Sequence, residues 1–406
     1  MTKSIRLGTA IAVAGLLATA TACNGQSSSS PGFAGRHLSA ERGAHGAGNG
    51  AEVDGERAFT LLASGEILPH SPIIDRAAED AGGRGYDFRP MLKGAARAVS
   101  GADLALCHMA APYGQKGGPY TGSPSFKSPP ELATALRATG FDSCSTASDH
   151  SLDDGAAGIG RTLDALDEAG IAHAGTARSA AEASRPTLLR AGKGENAAKV
   201  AHLAYTYGTN GIPLPPAQPW AVDLIDKDRI VADARAARGA GADVVVVSLH
   251  QGTEWQDAPD DAQIALGREL TASRTGERPD IDLIIGTRPH VPQAYEKVNG
   301  TWIVYGTGNQ IAGPMVNREG VQDPRAGASS MGRFTFAPPA RPGERWAVRK
   351  AEFLPQWFDT RAGRIVVLGP DGTPGGSDSR PPGIHDRIAR AVLSRGAAQD
   401  GLVEGK

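Results

Sequence analysis

Charge of one sign is scarce in this chain of 406 residues: 42 lysines and arginines face 44 aspartates and glutamates, a formal net charge of −2. That balance gives no basic face to hold nucleic acid and no acidic field to steer cations, so the partner class has to come from a site. A long apolar run is missing as well: the apolar stretch near the start, residues 7–17, is too short to span a bilayer. Cysteine is rare, three in all. No internal repeat and no second core is visible.

What is present begins with an export signal. Lys3 and Arg6 form a positive start, and Ala20-Thr21-Ala22-Cys23 after the apolar stretch resembles a bacterial lipoprotein cleavage box. Residues 1–23 are therefore expected to be a lipoprotein signal peptide with Cys23 lipidated; a plain secretory signal with an incidental thiol is the other reading. On the first reading the protein is extracytoplasmic and anchored to the bacterial cell membrane. Residues 24–57 hold almost nothing to bury and read as a flexible tether.

From residue 58 to 368 apolar strand-like runs alternate with helical spacings. Leu132 and Leu136 before Gly140, Ile159, Leu163 and Leu166 before Gly170, and Ile230, Ala234 and Ala237 before Gly239 predict helices with glycine at their ends. The alternation argues a single α/β domain with a largely parallel sheet, more antiparallel in its second half, where 303–305, 334–336 and 365–368 read as strands. Residues 369–406 read as a Gly/Pro linker followed by a peripheral helix over 384–393. Cys107 and Cys144 each fall near the end of an expected strand. Two buried thiols is the favoured reading, with a disulfide permitted if the strands are neighbours.

Polar clusters follow five of the apolar runs: Ser64-Gly65-Glu66, Cys107-His108, Ser148-Asp149-His150, Leu249-His250 and Pro289-His290. Ligand-binding groups of open α/β sheets collect at the carboxyl ends of strands, so these clusters predict one shared site. Tyr205 and Tyr207 could present aromatic faces to a ligand there.

These residues, together with Tyr86-Asp87-Phe88, Asp149-His150-Ser151-Leu152-Asp153, Gly170-Ile171-Ala172-His173, Ser248-Leu249-His250 and Gly308-Asn309, resemble the CapA family of poly-γ-glutamate capsule synthesis, over about residues 58 to 320. The resemblance implies a two-sheet αββα sandwich of metallophosphoesterase type with a metal site at the strand ends. It implies Glu66, Asp149, His150, His250 and His290 as metal ligands, for one divalent ion of Zn, Mn or Fe type or for none.

The sequence departs from the family pattern at several of these positions. Glu66 stands one methylene further out than an aspartate; Ala110 removes a carboxylate; Asp149 replaces an amide, either as a ligand or to orient His150. His108 either turns inward toward substrate or ligand, or is a polar residue at a strand end. Arg288 in Gly286-Thr287-Arg288-Pro289-His290 has no lone pair to give a metal, yet suits a carboxylate or phosphate of the substrate; its other reading is a swing out to solvent or a pair with a nearby acid such as Glu66 or Asp149. Glu254 lines the entrance or is a solvated loop charge, and Asn309 reads as a turn residue.

Two functions follow from the resemblance. One is a metal-dependent hydrolase of an anionic envelope polymer or phosphoester, with His150, His250 and Asp149 catalytic and Arg288, Glu254 and His108 holding substrate. The other is a non-catalytic polymer-binding, assembly or export factor with a degenerate metal site.

Overall fold

The computed structural model describes residues 58–369 apart from 193, 195, 196, 318, 342 and 343, and residues 381–406. The expected signal peptide with Cys23, the tether over 24–57 and most of the Gly/Pro linker lie outside the described residues.

The first half of the chain runs β1 (Phe59–Leu68), α1 (Ser71–Asp80), α2 (Arg89–Leu92), α3 (Ala96–Ser100) and β2 (Leu104–Met109). It continues through α4 (Glu131–Thr139), β3 (Ser143–Ser145), α5 (Gly155–Ala169), β4 (Ala172–Ala174), α6 (Ala180–Ala183), β5 (Thr187–Ala191) and β6 (Ala198–Thr206). Then follow α7 (Lys227–Gly239), β7 (Val244–His250), α8 (Asp261–Ala272), the short ribbon β8 (Arg274–Thr275) and β9 (Arg278–Pro279), β10 (Leu283–Thr287), β11 (Tyr295–Val298) and β12 (Thr301–Val304). The last elements are β13 (Asn309–Ala312), β14 (Ala328–Ala337), β15 (Ala347–Asp359), β16 (Arg364–Val367), α9 (Ile384–Leu393) and β17 (Leu402–Glu404).

Two sheets form. One is ordered β16-β15-β14-β1-β2-β3-β4, with β13 also on β1 and β17 on β15; the other is ordered β11-β12-β10-β7-β6-β5. Strands β1 to β4 run parallel, as do β6, β7, β10 and β12, while β14 to β16 are antiparallel.

Period-2 alternation decides which residues face which layer. In β1, Leu61 and Ala63 enter the core between the sheets while Leu62 faces the helices; in β7, Val244 and Val246 point between the sheets and Val245 and Val247 face α7 and α8. The result is the α/β two-sheet sandwich, helices outside and sheets within. The strand ends carry the same alternation onward, so His108, two residues after Leu106, and His250, four after Val246, turn to the inter-sheet side.

Gly140 and Gly170 close their helices in left-handed backbone, φ 111° and 73°. The third expected stop is displaced: α7 runs through Gly239, and Gly241 takes the positive φ. Strand β15 was not legible in the sequence, because Pro355 in its interior and the Arg349-Lys350-Ala351-Glu352 charges contradict a central strand. The favoured thiol reading is corrected. Cys107 and Cys144 stand opposite each other in β2 and β3 and are joined by a disulfide, with Cα atoms 4.4 Å apart. Among the described residues no helix is long and apolar enough to cross a membrane.

Candidate metal centre and functional site

The carboxyl ends of β1, β2 and β7 bring three side chains together. Glu66 pairs in register with His108 on one side and with Asn309 on the other, after a break in the ladder between Ala63 and Glu66. Gly65 makes that break possible: a Cβ there would lie 2.5 Å from the Gly308 carbonyl oxygen, the atom that accepts from the Glu66 amide at 2.8 Å. Across the sheets the His108 ring stacks on His250, centroids 4.8 Å apart and planes 21° from parallel.

Glu66, His108 and His250 are all buried, and one ligand-capable atom from each lies within 4.8 Å of the other two. Both Glu66 oxygens and His108 Nε2 are buried with no hydrogen-bond partner. A buried carboxylate without hydrogen bonds is costly, and a two-imidazole, one-carboxylate set is a common way to hold a divalent ion, so these residues fit a metal. His108 Nδ1 meets Ser145 Oγ at 2.8 Å, which fixes the ring. Burial, reinforced by His250, pushes His108 well below its ordinary pKa, which keeps it neutral with a lone pair to give.

His250 already engages both ring nitrogens, Nδ1 with Thr287 Oγ1 and Nε2 with Asp149 Oδ1, each at 3.0 Å. Acting as a ligand therefore means giving up one of these contacts. The other residues expected as ligands surround the trio. His150 Nε2 lies 3.8 Å from Asp149 Oδ1, and His290 Nδ1 lies 3.5 Å from Glu66 Oε2 and 3.1 Å from Asn309 Oδ1. Burial raises the Asp149 carboxyl, but His250, His150 and Arg288 outweigh it and hold Asp149 far below the usual range.

The sequence profile described as bacterial capsule synthesis protein PGA_cap matches residues 60–314. The chain belongs to that family. Capsule biosynthesis protein CapA of Bacillus anthracis is 27% identical over 186 residues, which is 45% of this chain and 42% of that protein. PGA biosynthesis protein CapA of Bacillus subtilis (strain 168) is 27% identical over 182 residues, 45% of each chain. The matches thus span less than half the length of these relatives. Among solved structures, calcineurin-like phosphoesterase YfkN from Bacillus subtilis superposes with a TM-score of 0.42 at 14% identity, covering 83% of this chain and 97% of that one. A phosphatase from Mycoplasma pneumoniae gives 0.43 at 11% identity, covering 76% and 96%.

Within this PGA_cap chain Arg288 turns onto the protein's own groups. Its guanidinium lies 4.1 Å from the centre of the Tyr207 ring and donates to the Tyr207 hydroxyl at 2.9 Å, to Glu254 Oε1 at 3.1 Å and to the Gly252 carbonyl. Its Nε is 3.7 Å from Asp149 Oδ2, to which Tyr207 also donates at 3.2 Å. Of the two acids foreseen for it, Asp149 is the nearby one, and Glu254 adds the closer pair. Arg288 and His290 have φ of 97° and 61°, left-handed backbone that costs non-glycine residues of order 1–3 kcal/mol each, so the tertiary fold holds both against local preference.

Several members of the site were not assigned from sequence. His150 Nδ1 meets Asp153 Oδ2 at 2.8 Å, closer than Asp149, so Asp153 orients that ring; the Phe126 amide also donates to Asp153 at 2.7 Å. The net effect of burial, which lowers it, and Asp153, Asp149 and Glu66, which raise it, is a His150 above its ordinary pKa. Asn309 is no turn residue: it opens β13, fully buried, its amide bonded to Ala326 and His290. His70, just past β1, also reaches the site; burial, His290 and His150 lower it to about 4. An imidazole just beyond a strand end that already carries Glu66 was the available signal.

A cavity of about 520 Å³ opens elsewhere, where the edge strands β4 and β5 meet under α6. Its Arg178 is taken up by Glu182, Asp164 and Asp167, and its Asp233 by Arg229 and Tyr205. Glu66 and His108 by contrast carry buried polar atoms without hydrogen-bond partners.

Proposed function

We propose that the protein is a membrane-anchored envelope lipoprotein of capsule synthesis that acts on an anionic cell-surface polymer of poly-γ-glutamate type through a hydrolase-like site with one divalent ion. The observation that carries this reading is the buried Glu66 carboxylate, without a hydrogen bond at either oxygen, beside His108 and His250. The names of the relatives, which speak of capsule and PGA biosynthesis, support the polymer class.

In this reading Glu66, His108 and His250 hold the ion, which supplies Lewis acidity toward a carbonyl or phosphoryl oxygen when bound. His150, oriented by Asp153, keeps a proton at Nε2 for the leaving group. Arg288 exchanges its contact with Glu254 for a carboxylate or phosphate of the substrate, a charge-assisted pair worth about 1.5–3 kcal/mol. Asp149 orients His250 and, through Tyr207, steadies Arg288.

Metal analysis of the purified protein together with turnover of poly-γ-glutamate and of a chromogenic phosphodiester tests the reading. One ion per chain with polymer cleavage is expected. Protein that stays metal-free yet binds the polymer would favour the second reading, a binding or assembly factor, which the fixed Arg288 cation beside the centre supports. For the anchor, Cys23→Ser is expected to release the protein from membranes or leave it unprocessed, and unchanged membrane association would remove the lipoprotein assignment.

A further inference from the structure

The turn after β1 carries an imidazole for which the site reading has no task. His70 follows Glu66 by four residues and stands at the entry of α1, where its carbonyl accepts from the amides of Ile73 and Ile74 at 2.8 and 3.1 Å. Its side chain does not cap that helix, and its Nε2 is buried without a partner. A histidine kept only for helix entry would be expected to bond the free amides of the first turn or to reach water. His70 Nε2 does neither.

Two segments pack against His70, the loop that carries Gly122 and Phe126 and the turn at Gly313. Phe126 meets it edge-on at 5.0 Å between centroids, and the same Phe126 meets His150 at 4.6 Å. Gly313, just after β13, comes so near that a Cβ there would lie 2.4 Å from His70 Cβ. A Cβ at Gly122 would lie 3.1 Å from His70 Cα. His290 and His150 are both within electrostatic reach of the ring. The unpartnered nitrogen thus belongs to a ring that shares Phe126 with His150, while the three atoms suited to a metal come from other residues.

We propose that His70 contacts substrate, its Nε2–H donating to an anionic carboxylate or phosphoryl oxygen held at the Glu66 centre. The assignment rests on the hydrolase reading above. Binding would satisfy a buried polar group that otherwise has no partner, which is the physical gain.

The test uses the full-length protein and its His70→Ala and His70→Gln variants. Metal content is measured first, then affinity for two probes, inorganic phosphate and a short γ-linked glutamate oligomer. Unchanged metal content is expected, with a loss of about tenfold in affinity for one probe in His70→Ala, the size of one hydrogen bond to a charged group, and recovery of most of it in His70→Gln, whose amide can donate. The probe that loses affinity identifies the oxygen as phosphoryl or carboxylate. Unaltered affinity for both probes overturns the assignment, and so does loss of metal from His70→Ala, which would make His70 a ligand. Should His70→Ala not fold, the His70 ring signals of the wild-type protein must shift when either probe is added, and static signals overturn the assignment equally. Wild-type protein that takes up no metal overturns the hydrolase reading alone, because the ring signals still report on the contact in that sample.

Discussion

Glu66 is buried and Asp223 half-buried, and the surroundings of the two carboxyl groups set opposite tasks. Neither Glu66 oxygen accepts a hydrogen bond, His290 Nδ1 stands 3.5 Å from Oε2, and ligand-capable atoms of two imidazoles lie within 4.8 Å, a set that would suit a divalent ion. Glu66→Gln keeps the shape and removes the charge; divalent-metal affinity should fall about 100-fold or more, at least the upper end of what losing an outer support costs, as read by competition with a chromogenic chelator. Asp223 has one long ion pair, 3.4 Å to Arg229. Burial pushes it from 3.8 up to about 7, with Arg229 opposing and Asp233 adding. Between those values the unfolded chain has lost the proton and the folded chain keeps it, so stability falls as pH rises. The slope from this group is at most about 1.4 kcal/mol per pH unit. Urea unfolding at several pH values across this window should show a flatter dependence for Asp223→Asn than for the wild type; parallel curves would refute the assignment.

At the scale of elements, the pair β2 and β3 holds the site from behind. Cys107 and Cys144 are opposite each other, and one step along the same strands His108 and Ser145 are opposite each other and hydrogen-bonded. The disulfide spans 37 residues, and closing such a loop is worth on the order of 3–4 kcal/mol through the unfolded state. Reduction, or the double change Cys107→Ala with Cys144→Ala, should lower unfolding stability by that order. It should also weaken metal binding, because the strand step that aligns His108 loses its brace. Denaturation and metal titration with and without a thiol reductant check both effects. Gly65 is the second point where an element sets the site. Gly65→Ala would force β1 off the Gly308 carbonyl, 2.5 Å from the new methyl, and should cost metal affinity through displacement of Glu66.

Across the whole molecule, the two sheets are joined by more than apolar packing. His202, fully buried in β6, meets Ser143 Oγ of β3 at 2.9 Å and Ser248 Oγ of β7 at 3.0 Å, so one imidazole spans the sandwich. Burial lowers it to about 4, which keeps it neutral at physiological pH. His202→Leu fills the space but leaves two buried hydroxyls without their partner, at a cost of about 1–3 kcal/mol each. A clear fall in Tm by calorimetry is expected, and an unchanged Tm would show that the link contributes nothing.

The sequence by itself determined the layers and the address of the site. Runs such as 244–247 and 102–106, helices ending at Gly140 and Gly170, and polar clusters after the strands were all readable, because side-chain period and glycine backbone are local properties of the chain. The membership of the candidate metal trio was not. His108 joins Glu66 and His250 only because strands 42 residues apart in sequence pair Glu66 with His108, and because the second sheet lays His250 on that ring. The same holds for the disulfide, for Asp153 rather than Asp149 behind His150, and for Arg288 over Tyr207. Register and sheet-on-sheet packing decide which residues meet, and both are set by contacts between segments far apart in the chain.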